Sequence, residues 1–100
     1  MNIEEIIKEN KGTNVDVRTP GEFQDGNVTG SVNIPLNEIQ KRMEEVEKLE
    51  TPLAMCCASG GRSGQATQYL SQQGIECCNG GSWFEVNLFR SQIKKNDKHN

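Results

Sequence analysis

The 100-residue chain has no apolar run near the roughly 18 residues that a membrane-spanning helix needs, so no membrane partner is expected. It also has no basic surplus: 11 Lys and Arg stand against 14 Asp and Glu, a formal net charge of −3. Duplex nucleic acid is bound largely by neutralising phosphates, so nucleic acid is not expected as a partner either. The opening residues, Met1-Asn2-Ile3-Glu4-Glu5, have neither the basic nor the apolar region of a secretory signal. The expected compartment is therefore the reducing cytoplasm, where structural disulfides are rare. At this length one domain is the upper limit. What the chain does have is four cysteines in two adjacent pairs, Cys56-Cys57 and Cys77-Cys78.

A structural zinc site usually draws on cysteines a few residues apart, whose thiolates can turn toward one metal. Adjacent residues on a strand point to opposite faces instead, so no metal is expected. For three of the four thiols the simplest reading is a small buried hydrophobe.

Along the chain, short helices and strands alternate. Asn2 and Glu5 read as a capping pair for a helix bearing Ile3, Ile6 and Ile7, ended by Gly12. Residues 13–17 read as a strand. Thr19-Pro20-Gly21-Glu22 is a capping box with Pro at the first helical position, and Asp25-Gly26 closes that helix. Residues 32–34 read as a second strand, closed by Pro35. Asn37 and Gln40 suggest another helix start; the stripe Ile39, Met43, Val46, Leu49 fits one helix or two shorter ones. The charges between Lys41 and Lys48 then form a solvated face. Leu53-Ala54-Met55-Cys56-Cys57 is continuously apolar, the pattern of a central strand buried on both faces.

A helix follows, through Ala66, Tyr69 and Leu70 to Gly74. Residues 75–78 read as a fourth strand, ended by Cys77 and Cys78. Asn79-Gly80-Gly81 reads as a turn. Ser82 and Glu85 then cap a last helix carrying Trp83, Val86, Phe89 and Ile93. The domain spans residues 1–93, with 94–100 a polar, frayed tail holding the lone His99. Alternating strands and helices predict a three-layer α/β domain with a parallel sheet of four or five strands. Ligands in such folds bind at the carboxyl ends of the strands.

One strand end carries chemistry. In Cys57-Ala58-Ser59-Gly60-Gly61-Arg62-Ser63 a thiol is followed by small residues and then a helix N-terminus. The glycines allow backbone N–H groups to converge, and the helix dipole adds positive potential. Arg62 contributes a permanent charge. All three favour thiolate, the nucleophilic form.

That loop resembles the active-site pattern of the rhodanese-like family: Cys, any residue, Ser, Gly, any residue, Arg, Ser. Asp16-Val17-Arg18-Thr19-Pro20-Gly21-Glu22-Phe23 is similar to the family's first signature, Gly30-Ser31-Val32-Asn33-Ile34-Pro35 to its second, and Gly80-Gly81-Ser82-Trp83 to its final Gly-Gly and Trp. The resemblance implies a single-domain, thiosulfate sulfurtransferase-type enzyme without a cofactor. Cys57 would take a sulfane sulfur from a small anionic donor such as thiosulfate, or from a persulfide, and pass it to cyanide or a thiol; the donor or acceptor could itself be a protein. The amides of Ala58, Ser59, Gly60, Gly61 and Arg62, with Ser63, would bind the anionic end and the persulfide. Arg62 would brace the loop and add charge. Asp16 and Arg18 would support the loop from the neighbouring strand end, a capped buried Asp being the equal alternative. The chain departs from the family in three ways: Gly26-Asn27-Val28 carries Asn where the family usually has His, the short stretch from Gly74 to Gly80 predicts an abbreviated last strand, and four clear strands are read where the fold usually has five.

The paired cysteines admit a second register. Cys57 and Arg62 are separated by four residues, the sulfurtransferase spacing; Cys56 and Arg62 are separated by five, as in cysteine-dependent phosphatases that share the fold. Met55 stands where such phosphatases carry His, which favours sulfur transfer. Arsenate reduction is a more distant thiolate chemistry. A non-catalytic rhodanese-like binding module is a further alternative, although such modules commonly lack the Cys. Cys77 or Cys78, at the end of a neighbouring strand, could approach Cys57 as a second thiol.

Overall fold

The computed structural model describes residues 3–9 and 11–98, with side chains as far as residue 91. Asn2, His99 and the Ile93 side chain lie outside the described residues. Four strands form one sheet: β1 (Thr13–Asp16), β2 (Val32–Asn33), β3 (Leu53–Cys57) and β4 (Cys77–Ser82), in the order β2-β1-β3-β4. Every pairing is parallel. This is the predicted α/β fold, with four strands among the described residues. No helix among them is long and apolar enough to cross a membrane.

Side-chain alternation sorts the core into two layers. Val15, Val17, Leu53, Met55 and Cys57 face one side with Ile34, Ile39, Val46, Ala66 and Leu70. That layer is covered by α3 (Met43–Lys48) and α4 (Gly61–Gln72). Cys56 faces the other side with Ile7, Val28 and Val86, under α1 (Ile3–Lys8) and α5 (Trp83–Lys98). All five residues of β3 are buried, as the unbroken apolar run requires.

The connection from β1 to β2 contains α2 (Pro20–Asp25). Thr19 is its N-cap with the reciprocal Glu22 bond present, as the capping box predicts. At the end of α4 the Gly74 N–H donates to the Ser71 carbonyl and the Ile75 N–H to the Leu70 carbonyl. These two bonds make a Schellman stop.

Three expectations change. The helix expected from Asn37 is a 3-10 turn, Leu36–Glu38, followed by α3; the two shorter helices are the outcome. Neither Asn37 nor Gln40 caps α3, which begins after Arg42, whose guanidinium pairs with Glu38 and Glu45. Helix α5 extends to Lys98, beyond the expected end at Ile93.

The third change is the largest. Asn79-Gly80-Gly81 does not turn the chain but belongs to β4, which is six residues long rather than abbreviated. Met55 pairs with Asn79 and Cys56 with Gly81, so Gly80 is the extra residue of a bulge. A Cβ on Gly80 would stand 3.0 Å from the Met55 carbonyl oxygen and 3.2 Å from Val86 Cγ2. Glycine is there for close packing.

Candidate active site

The sheet reverses its direction of growth between β1 and β3. The chain leaves β1 toward β2 on one side and leaves β3 toward β4 on the other. A crevice at the carboxyl ends of these two strands follows from that divergence. Cys57 ends β3 at this place, and the chain re-enters helix at Gly61. Gly60 makes the reversal with φ of +103°, a left-handed conformation that a side chain would strain.

That backbone turn aims donors at sulfur. The Gly60 N–H donates to Cys57 Sγ at 3.0 Å and the Ser63 N–H at 3.4 Å. Ser63 Oγ lies 3.3 Å from the same sulfur. Cys57 is 1% exposed, so burial pushes its thiol up. The Ser63 hydroxyl and the N–H groups of Ser63, Gly60 and Ser59 outweigh that burial and hold it below the ordinary thiol value. Ala58 and Gly61 shape the loop but are not among the sulfur's hydrogen-bond partners.

Asn79, part of β4 and not of a turn, ties the loop to that strand. Its Oδ1 accepts from Ser63 Oγ at 2.6 Å and from the Gly81 N–H at 3.0 Å. Its Nδ2 donates to the Gly60 carbonyl at 3.1 Å. Gly60 and Ser63, two of the residues that supply Cys57 with donors, are thus held by one amide. The signal in the sequence is Asn79 directly after Cys77-Cys78, hidden by the turn chemistry of Asn-Gly-Gly.

Arg62 lies in the first turn of α4, and its guanidinium hydrogen-bonds Glu22 and not the sulfur. Nη1 and Nη2 donate to Glu22 Oε1 and Oε2 at 2.8 and 3.0 Å. The Arg62 pair, then the Thr19 backbone N–H, bring the Glu22 carboxyl down to about 2. Glu22 was legible as a helix cap, but nothing local announces a partner forty residues away.

Asp16 and Arg18 form a buried ion pair rather than contacting the loop directly. Arg18 Nη2 donates to Asp16 Oδ2 at 2.7 Å and to the Gly26 carbonyl at 2.6 Å. The guanidinium lies 4.7 Å from the Trp83 ring centroid, a cation–π contact. Asp16 is registered with Cys56 across the strands, and the Val17 N–H donates to the Cys56 carbonyl. The pair therefore fixes the end of β1, from which α2 carries Glu22 to Arg62. At the family's usual His position, Asn27 Nδ2 donates to the Phe23 carbonyl, closing α2.

The other thiols separate clearly. Cys56 is buried on the opposite face, and burial pushes its thiol up to about 12. Cys77 and Cys78 begin β4 instead of ending their strand, paired with Leu53 and Ala54. Cys57 pairs with Ser82 at the far end, so at about 3.3 Å per residue the nearer thiol register is on the order of 10 Å away. Neither is placed to act as a second thiol.

Known proteins resemble this chain in sequence and fold. The family model for the rhodanese-like domain matches residues 2–85. A sulfurtransferase of Allochromatium vinosum is 42% identical over 60 residues, 60% of this chain and 55% of that protein. Thiosulfate sulfurtransferase PspE of Escherichia coli is 39% identical over 62 residues, 60% of this chain and 59% of the relative. The chain spans about half the length of the curated relatives it matches. Among solved structures, a rhodanese-related protein of Thermoplasma volcanium superposes with a TM-score of 0.74 at 28% identity, covering 88% of both chains.

Proposed function

The chain belongs to the rhodanese-like domain family, and from that premise we propose that it is a sulfurtransferase whose Cys57 takes up a sulfane sulfur and hands it to a thiol or cyanide. The observation that carries this reading is the sulfur's own environment: a buried Sγ facing two N–H donors and a hydroxyl at 3.0 to 3.4 Å. Such a cradle stabilises a thiolate, and it offers the same donors to the outer sulfur of a persulfide.

The step balances without a cofactor. Cys57 thiolate attacks the outer sulfur of thiosulfate; the new S–S bond forms, the bond to sulfite breaks, and sulfite leaves with the electron pair. A thiolate or cyanide then attacks the outer sulfur of the persulfide and returns Cys57 as thiolate. Gly60 and Ser63 donate to the charge on sulfur, and Asn79 holds both in place.

The phosphatase register would need Cys56 as nucleophile. Its thiol is buried against Ile7, Val28 and Val86 and pushed up to about 12, which disfavours that reading. The test is incubation with thiosulfate followed by intact mass and peptide mapping. One added sulfur should reside on Cys57, be abolished in Cys57→Ser and persist in Cys56→Ser. Aryl phosphatase activity that survives Cys57→Ser and dies in Cys56→Ser would refute the proposal.

A further inference from the structure

Two diverging connections leave the sheet at the carboxyl ends of β1 and β3, and one side-chain pair joins them. Glu22 arrives from α2, after β1; Arg62 arrives from the first turn of α4, after β3. They meet in a two-pronged contact at 2.8 and 3.0 Å. Glu22 is itself anchored, because Oε1 also accepts from Thr19 N–H at 3.2 Å and Thr19 Oγ1 at 3.1 Å. The Arg62 and Glu22 side chains are 36% and 37% exposed, so the pair stands at the solvent boundary. From Cys57 to Ser63, Arg62 is the sole charged side chain. The loop's fixed cation is already matched by a carboxylate.

Resting on the sulfur-transfer reading, we propose that Glu22 is a specificity-determining residue: by occupying Arg62 it favours weakly charged, carbon-bound persulfides over free sulfur-oxyanion dianions such as thiosulfate. With Cys57 as thiolate, the charges of Cys57, Arg62 and Glu22 sum to one negative charge; without Glu22 they would cancel. A dianion entering the crevice must displace Glu22 from Arg62 or remain beside two like charges. Coulomb energy scales with the product of the charges, so a dianion feels the carboxylate twice as strongly as a monoanion, and a neutral donor barely feels it. An alkyl persulfide requires no cation. The thiolate of Cys57 attacks its outer sulfur, the new S–S bond forms, and the old one breaks with its electron pair leaving on the alkyl thiolate. The proton stays on the outer sulfur, beside the Gly60 and Ser63 donors.

The experiment compares the parent protein with Glu22→Gln, which keeps the side-chain length and an oxygen for Thr19. Persulfide formation on Cys57 is followed by mass spectrometry with thiosulfate and, separately, with 2-hydroxyethyl persulfide. Glu22→Gln should raise the thiosulfate rate about tenfold and change the alkyl persulfide rate less than about threefold. The gain should vanish in Glu22→Gln/Arg62→Met. An unchanged thiosulfate rate, or an equal rise with both donors, would overturn the inference while leaving sulfur transfer intact. If Cys57 takes sulfur from neither donor in either protein, the functional reading falls and the inference falls with it.

Discussion

Ser63→Ala removes a single oxygen from the sulfur's surroundings and leaves the backbone donors in place. The hydroxyl lies 3.3 Å from Cys57 Sγ, and the Ser63 N–H, at 3.4 Å, survives the substitution. A hydrogen bond to a charged group contributes about 1.5–3 kcal/mol. The low end applies here, because one hydroxyl hydrogen serves three acceptors. Asn79 Oδ1 at 2.6 Å and the Gly60 carbonyl at 3.2 Å compete with the sulfur for it. When the thiolate takes that hydrogen, Asn79 Oδ1 keeps only the Gly81 N–H, which offsets part of the gain.

About 1.4 kcal/mol corresponds to a tenfold change in the thiolate-to-thiol ratio. The sign is fixed by the direction of the native shift. Burial pushes the Cys57 thiol up while the Ser63 hydroxyl and the N–H donors hold it below its ordinary value; without the hydroxyl the balance moves back toward thiol. Alkylation of Cys57 by iodoacetamide, resolved from the other cysteines by peptide mass spectrometry, reports the thiolate fraction. At pH values below the midpoint, the rate should fall about tenfold in Ser63→Ala, and the midpoint should move to alkaline pH. A midpoint that stays in place or moves toward acid would refute the assignment of Ser63 as a thiolate donor.

Two substitutions test the scaffold beneath the site. Gly80→Ala would drive a Cβ to 3.0 Å from the Met55 carbonyl oxygen, a backbone atom that cannot step aside, and to 3.0 Å from Ile3 Cδ1. It should destabilise the fold by about 1–3 kcal/mol, read as a lower Tm; an unchanged Tm would mean that the bulge yields freely. Arg18→Met leaves the Asp16 carboxylate, 0% exposed, without its partner and empties the position over Trp83. A loss of about 3–5 kcal/mol in urea unfolding is expected, larger than for the double variant Asp16→Asn/Arg18→Met, which leaves no orphaned charge. Equal losses would show that Asp16 tolerates isolation.

The parts of the fold that were legible in the sequence are those governed by local chemistry. Leu53-Ala54-Met55-Cys56-Cys57 reads as a strand buried on both faces because no polar residue interrupts it, and all five residues are buried. Thr19 and Glu22 read as a capping box because the bonds that make one lie within three residues. Asn79-Gly80-Gly81 misleads for a physical reason. Its residues favour turns, yet the close approach of Met55 and Val86 leaves room only for glycine, and the segment extends as a bulged strand. That extension moved Cys77 and Cys78 from the end of a strand to its beginning, and away from Cys57. Asn37 offered a cap, but the chain turned at Pro35 and restarted its helix after Arg42. The link from Glu22 to Arg62 depends on two loops leaving the sheet in opposite directions, which is topology rather than pattern.

Two neighbouring thiols of identical composition thus have opposite surroundings, and strand parity is the cause. The Cys57 side chain projects toward the loop, where Gly60 and Ser63, three and six residues on, return their N–H groups to its sulfur. The Cys56 side chain projects into the layer of Ile7, Val28 and Val86, where desolvation, and after it the Asp16 charge, push the thiol up. Counting residues to Arg62 therefore cannot decide which cysteine reacts. A longer or shorter loop would alter the ring of amides around Cys57 but would not rotate Cys56 out of the opposite layer. To exchange their roles, β3 would have to slip by one residue, turning Leu53, Met55 and Cys57 out of a core that includes Val15, Ile34 and Leu70. On the sulfur-transfer reading, the hydrophobic packing that fixes the register of β3 is what would select Cys57 over Cys56 as nucleophile.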